Sequence, residues 1–223
     1  MQWIMGLLMC GLLFYAPAVW ADPKARVPQT GQTATYDSNT PPRDDGALQE
    51  GVPLPTPRFA DLGDGTIRDN LTGLIWLKKA DCAFAGRTWQ QSLDDVVSLN
   101  TTGTMNGHDC GDESNHGSHQ TDWRLPNLRE LKSLVHYGFF QPALSNPAGT
   151  AQAQCFPPNV IDCPFSFSSP TIGLTYWSST TRFAAPLTAW AVDLAEGNDR
   201  IALKTEQAAP GTLAVRGGRS SSE

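Results

Sequence analysis

Apolar positions first take on a regular pattern at Arg58. Phe59, Ile67, Leu74, Ile75 and Trp76 stand between the turn signals Asp64-Gly65 and Asn70-Leu71-Thr72-Gly73. Short apolar runs separated by such turns predict a β-meander, with strands at 58–61, 66–69 and 74–78. The period then changes. Behind a Thr88/Gln91 capping box, Trp89, Leu93, Val96 and Val97 repeat at helical spacing and predict a first helix. A second is predicted behind the Asn127/Glu130 box, where Leu128, Leu131, Leu134 and Val135 form the apolar stripe and Gly138 the stop. Segment 101–121 is polar and loop-like, and 139–172 is a second long irregular stretch rich in Pro, Ser and Asn. Strand patterns return at Leu174–Thr180, Thr188–Leu194, Arg200–Lys204 and Leu213–Arg216, with the turn Glu196-Gly197-Asn198 between two of them. This order predicts the α+β class: an antiparallel sheet, two helices packed to one side, and long loops. Loops of that length are usual carriers of function.

The chain ahead of this body has a different texture. Ile4 to Ala16 is an uncharged apolar run with the length of a secretory h-region, too short for a comfortable membrane span. Val19 and Ala21 place small residues before a cleavage point, so 1–21 reads as a signal peptide, although no Lys or Arg precedes the run. Residues 22–57 hold seven prolines and almost no large apolar residue. Proline fixes φ and removes a donor, so this stretch is expected to be an extended, partly mobile lead-in with neither helix nor central strand. The domain proper is assigned to 58–218 and a frayed tail to 219–223.

Composition narrows the function. Lys and Arg number 16 against 22 Asp and Glu, a net charge of −6. A nucleic-acid binder would carry a clustered basic surplus, so that class is set aside. A hydrophobic fraction of 40% serves one ordinary core and not a multi-span membrane protein, so no membrane span is expected once the leader is removed. Without Cys10 of the leader, Cys82, Cys110, Cys155 and Cys163 remain. An even count in an exported chain suggests disulfides. Of the three connectivities, neighbours in sequence are favoured, Cys82–Cys110 and Cys155–Cys163. On the chain-entropy model each would stabilise by roughly 2.5–3.5 kcal/mol.

The segments Gly63-Asp64-Gly65-Thr66-Ile67-Arg68-Asp69-Asn70, Thr72-Gly73-Leu74-Ile75-Trp76, Thr88-Trp89-Gln90-Gln91-Ser92-Leu93, Asp122-Trp123-Arg124-Leu125-Pro126-Asn127, Tyr176-Trp177-Ser178-Ser179-Thr180, Ala189-Trp190 and Val215-Arg216-Gly217-Gly218 follow one another in a recognisable order. Together they resemble the Lcl C-terminal domain family, named after a collagen-like bacterial adhesin, over roughly 58–218. The lead-in Pro28-Gln29-Thr30-Gly31-Gln32-Thr33 resembles the segment often found before such domains. The resemblance implies a C-type-lectin-like fold. It also implies an exported bacterial protein of the periplasm or cell surface that binds a glycan or surface protein, adhesin-like, rather than catalysing a reaction. Two features depart from the adhesin: there is no collagen-like stalk, and a charge of −6 suits a sulfated polysaccharide badly.

Candidate binding residues follow from chemistry. Trp123, Tyr176, Trp177 and Trp190 could offer flat faces to sugar rings, or could instead bury apolar area in the core, as expected for Trp76 and Trp89. Arg124 could engage a ligand or pin its loop to a carboxylate. Asp193, Glu196, Asn198 and Asp199 gather oxygens near a strand pair, where calcium and sugar meet in lectin-like domains; solvated hairpins gather them too. Asp61, Asp64 and Asp69 resemble fragments of a calcium loop without its full spacing. His108, His116 and His119 share a loop with Cys110, which a disulfide would remove as a zinc ligand. His136, assigned to the second helix, reads as a surface or boundary residue. No nucleophile elbow, zinc-protease helix or phosphate loop occurs, so no catalytic residue is expected. No cofactor is expected either, with calcium the one candidate. The rival reading is a structural or assembly component of the cell envelope with no small ligand.

Overall fold

The computed structural model describes residues 27–155, 161–167, 173–206 and 210–217. The expected leader and the tail at 219–223 lie outside them. The meander forms as expected, with β1 (Phe59–Asp61), β2 (Thr66–Asp69) and β3 (Ile75–Leu77) in antiparallel register, Ile67 opposite Trp76. The chain end returns as β9 (Val215–Arg216) beside β3, closing a four-stranded sheet in the order β1-β2-β3-β9. A second sheet, β6-β7-β8, is built from β6 (Thr175–Thr181), β7 (Thr188–Asp193) and β8 (Asn198–Leu203). The expected single sheet is therefore two, and a lone parallel bridge between Tyr176 of β6 and Gly211 links the second sheet to the segment that leads into β9. A small ribbon, β4 (Thr104–Met105) with β5 (His108–Asp109), stands where a loop was expected. Its turn is Asn106-Gly107 with both φ positive (50° and 79°), the backbone a tight hairpin requires.

Helix α2 (Trp89–Thr102) starts on the expected box: Gln91 N–H donates to Thr88 Oγ1 at 3.1 Å, and Thr88 N–H to Gln91 Oε1 at 2.9 Å. Its buried face differs from the expected stripe. Val97 is exposed, while Ser92, Asp95, Val96 and Leu99 are buried. The polar pair goes inward because it has partners there: Asp95 receives a two-bond fork from Arg87, and Thr212 Oγ1 lies 2.9 Å from Ser92 Oγ. Helix α3 (Leu128–Lys132) also keeps its box but is one turn long, capped at Ser133 rather than running toward Gly138. The backbone beyond it is recruited elsewhere, with Tyr137 N–H donating to Thr30 O and His136 N–H to Ala143 O, both at 2.9 Å. Leu134 and Val135 still reach the core.

Two apolar clusters fill the interior, and the strands divide them. Trp76, Tyr176, Val192 and Val215 enter one, with Leu131 of α3; Leu77, Trp177, Ala191 and Ala214 enter the other, with Val96 and Leu99 of α2. The helices thus cover opposite faces of the second sheet, not one side. Strand alternation by itself sends neighbouring residues to different layers.

The lead-in corrects its expectation. Between Pro42 and Pro53 there is room for one helical turn, α1 (Asp45–Leu48), capped by Asp44. Residues Pro28 and Val52 form a parallel bridge, and Tyr137 holds Thr30 against the body. The cysteines pair as expected, Cys82 with Cys110 and Cys155 with Cys163, at Cα separations of 5.3 and 5.1 Å.

Candidate functional site

Three of the four aromatic candidates face inward. Trp123 and Tyr176 are almost fully covered and Trp177 is 0% exposed, so their rings touch the protein's own atoms. Trp123 Nε1 donates to Asp112 Oδ2 at 2.6 Å, and Trp177 Nε1 to Arg87 O at 2.7 Å. Burial disfavours the charged form of Asp112, but bonds from Ser114, Gln120 and Trp123 outweigh it and hold the carboxyl below its ordinary value. Burial pushes the Tyr176 phenol well up, helped by the charge of Asp81. Of the aromatic set only Trp190 is half-buried, paired with Ile201 of β8. Trp89, expected in the core, is also only half-buried, with Lys204 Nζ 3.9 Å from its ring centroid.

The polar candidates separate as well. Arg124 closes a fork on Glu130 at 2.6 and 2.7 Å and reaches Gly217 O at 3.0 Å, which pins α3 to the end of β9. Asp193 accepts from Ala195 N–H, and Glu196 from the Asn198 side chain, both local turn contacts. Asp69 is taken by Arg58, Asp64 by Thr66, and Asp61 by Lys78. His108 lies against Phe84, ring centroids 4.4 Å apart. Among the described residues no three His, Cys, Asp or Glu side chains converge as a metal site would need.

Asp199 is the candidate that opens onto a concave surface. A groove of about 640 Å³ is lined by Pro28 and Val52 of the lead-in, Leu71 and Thr72 of the β2–β3 turn, Leu128, Arg129, Lys132 and Ser133 around α3, and Asp199 of β8. Lys132 Nζ lies 2.9 Å from Asp199 Oδ2, and this bond raises the Lys132 pKa, so the ammonium stays charged. Arg129 is exposed and makes no ion pair among the described residues. The groove thus combines aliphatic walls, two hydroxyls, a clamped ion pair and an open guanidinium. Such a surface can hold an extended chain by its apolar side groups and orient it through a carboxylate.

Most of these residues escaped sequence reasoning. In the sequence Leu128 belongs to the apolar stripe of the second helix, Leu71 and Thr72 to a turn, and Pro28 and Val52 to the lead-in. A usable signal was present in Leu128/Lys132 and Arg129/Ser133, two i, i+4 pairs on adjacent strips of one short helix. Nothing in the sequence points to the parallel meeting of Pro28 with Val52.

The model of the Lcl C-terminal domain matches residues 65–214, more than half of the 223. The chain belongs to the Lcl C-terminal domain family. No curated protein matches it. The matched span of this Lcl C-terminal domain holds α2, α3, both disulfides and seven of the nine residues lining the groove. Pro28 and Val52 precede it, so one wall of the groove comes from outside the matched span.

Proposed function

We propose that this Lcl C-terminal domain protein is an exported bacterial binding module without enzymatic activity, C-type-lectin-like in fold and adhesin-like in use. Its ligand lies in the groove between the lead-in and α3. The groove itself carries the reading, because Arg129, without an ion-pair partner among the described residues, is presented to solvent beside aliphatic walls. Two disulfides support export, since such bonds persist in oxidising compartments. Between the two ligand classes, the groove favours a protein segment over a glycan. Its walls are Pro, Val and Leu with no aromatic face, and three of the four candidate sugar platforms are interior. An extended peptide bearing an aliphatic side chain and a carboxylate matches what is offered.

The test is binding of the purified protein to a displayed peptide library and a glycan array, followed by titration of the best ligand. Arg129→Glu is expected to weaken it about tenfold or more, as loss of a charge-assisted bond does. The Arg124→Gln variant should weaken it less, since that side chain is spent on Glu130. The interior placement of Trp123, Tyr176 and Trp177 favours a second reading, a structural or assembly component of the envelope. Absence of any ligand in both screens supports that one.

A further inference from the structure

At the end of the second sheet remote from its acidic turn, the β6–β7 connection carries large apolar side chains into solvent. Phe183 is 99% exposed and Leu187 80%. Leu203 and Ile201 of β8 are exposed beside them, and cross-strand pairing puts Leu203 against Thr188 and Ile201 against Trp190. The loop is not loose. Arg182 N–H donates to Thr188 O, Ala185 N–H to Arg182 O, and Thr188 N–H to Ala185 O, at 2.8–3.1 Å. Lys204 N–H donates to Leu187 O at 2.9 Å, and its ammonium to Thr181 Oγ1 at 2.8 Å. Pro186 removes a further backbone freedom. The backbone is thus fixed while the Phe183 side chain is left in solvent.

The charges around it say what. Residues 181–188 and 201–206 carry Arg182 and Lys204 against one acid, Glu206, which Arg200 holds in an ion pair. At the far end of β7, roughly 17–20 Å away, stand Asp193 and Glu196, with Asp199 already paired to Lys132. The sheet is therefore polarised, apolar and cationic at one tip and acidic at the other. A second copy placed on the tip would bring cations against cations. An anionic lipid surface is the complement: it accepts convex apolar groups at acyl depth, pairs Arg182 and Lys204 with headgroups, and repels the acidic end.

We propose that the β6–β7 tip docks this protein onto anionic membrane surfaces, with Phe183 and Leu187 entering the interface and Arg182 and Lys204 forming its cationic collar. This goes beyond the groove reading and does not depend on it. The test is flotation of the protein, purified as an exporting host delivers it, with phosphatidylglycerol/phosphatidylcholine vesicles and with phosphatidylcholine vesicles alone. Binding is expected on the anionic vesicles and is to fall at least about tenfold in Phe183→Ser/Leu187→Ser. Arg182→Gln, or raised salt, is expected to weaken it severalfold. Near-UV circular dichroism should not change, because Phe183 leaves solvent for nothing in the fold. The proposal is overturned if the double serine variant floats like the parent, or if neither floats. It also fails if the parent is a dimer that the serines dissociate and no vesicle binding accompanies it.

Discussion

Arg58 is a cation the fold has withdrawn from water. Its guanidinium bonds Asp69, donates to Ser133 O at 2.7 Å, and lies 4.5 Å from the Phe59 ring centroid. Burial pulls its pKa down to about 10, which still leaves it charged at neutral pH. Asp69 is equally buried and also accepts from Leu71 N–H and the Thr72 hydroxyl. Replacing one partner strands the other charge in the interior. Arg58→Met is therefore expected to destabilise the protein by about 3–5 kcal/mol in urea unfolding, and Arg58→Met/Asp69→Leu to recover a large part of that. The pair was not legible in the sequence, where Asp69 resembled part of a calcium loop. The capping residues Thr88, Gln91, Asn127 and Glu130 were legible, because their partners lie within one turn of chain.

Elements were legible where local pattern decides them and less so where partners do. The meander and the start of both main helices follow from turns and caps. The length of α3 does not, since its continuation is unwound by bonds to Thr30 and Ala143. That same contact ties down the lead-in. Gly31, at φ +85°, sits so close that a Cβ there would meet the His136 ring at 2.4 Å. His136, expected at a surface or boundary on the helix, is buried beyond it, stacked on Phe139 at 4.1 Å, with Nδ1 accepting from Gly138 N–H. Burial, reinforced by the charge of Arg58, lowers its pKa below the ordinary 6.5. The folded state thus binds fewer protons than the unfolded chain, and stability present above 6.5 is lost as pH falls through the lowered value. The protection factor of the Tyr137 amide, corrected for the intrinsic exchange rate at each pH, is expected to fall as pH drops below 6.5, ahead of the core strands. His136→Phe, which keeps the stack and cannot titrate, should flatten that dependence.

At the scale of the whole molecule, the two clusters share β3, β6, β7 and the 213–215 segment, so neither is a separate core. The disulfides brace different parts: Cys82–Cys110 ties the segment after β3 to the β4–β5 ribbon, and Cys155–Cys163 closes a short excursion. Closing the span of 28 residues constrains the unfolded chain more than closing the span of 8. Cys82→Ser/Cys110→Ser is expected to lower stability by about 2–4 kcal/mol, and Cys155→Ser/Cys163→Ser by less, in denaturant melts of the oxidised protein. The sequence alone determined the α+β class, the capped starts of the two main helices and the family, and it favoured one cysteine pairing of three, since each depends on neighbours along the chain or on motifs in order. Only the tertiary structure decided which aromatics are interior, which ions pair, and that the lead-in completes a groove with α3 and β8. Those outcomes depend on residues such as Pro28, Lys132 and Asp199, which are far apart in sequence and meet only when the sheets close around the two layers of core.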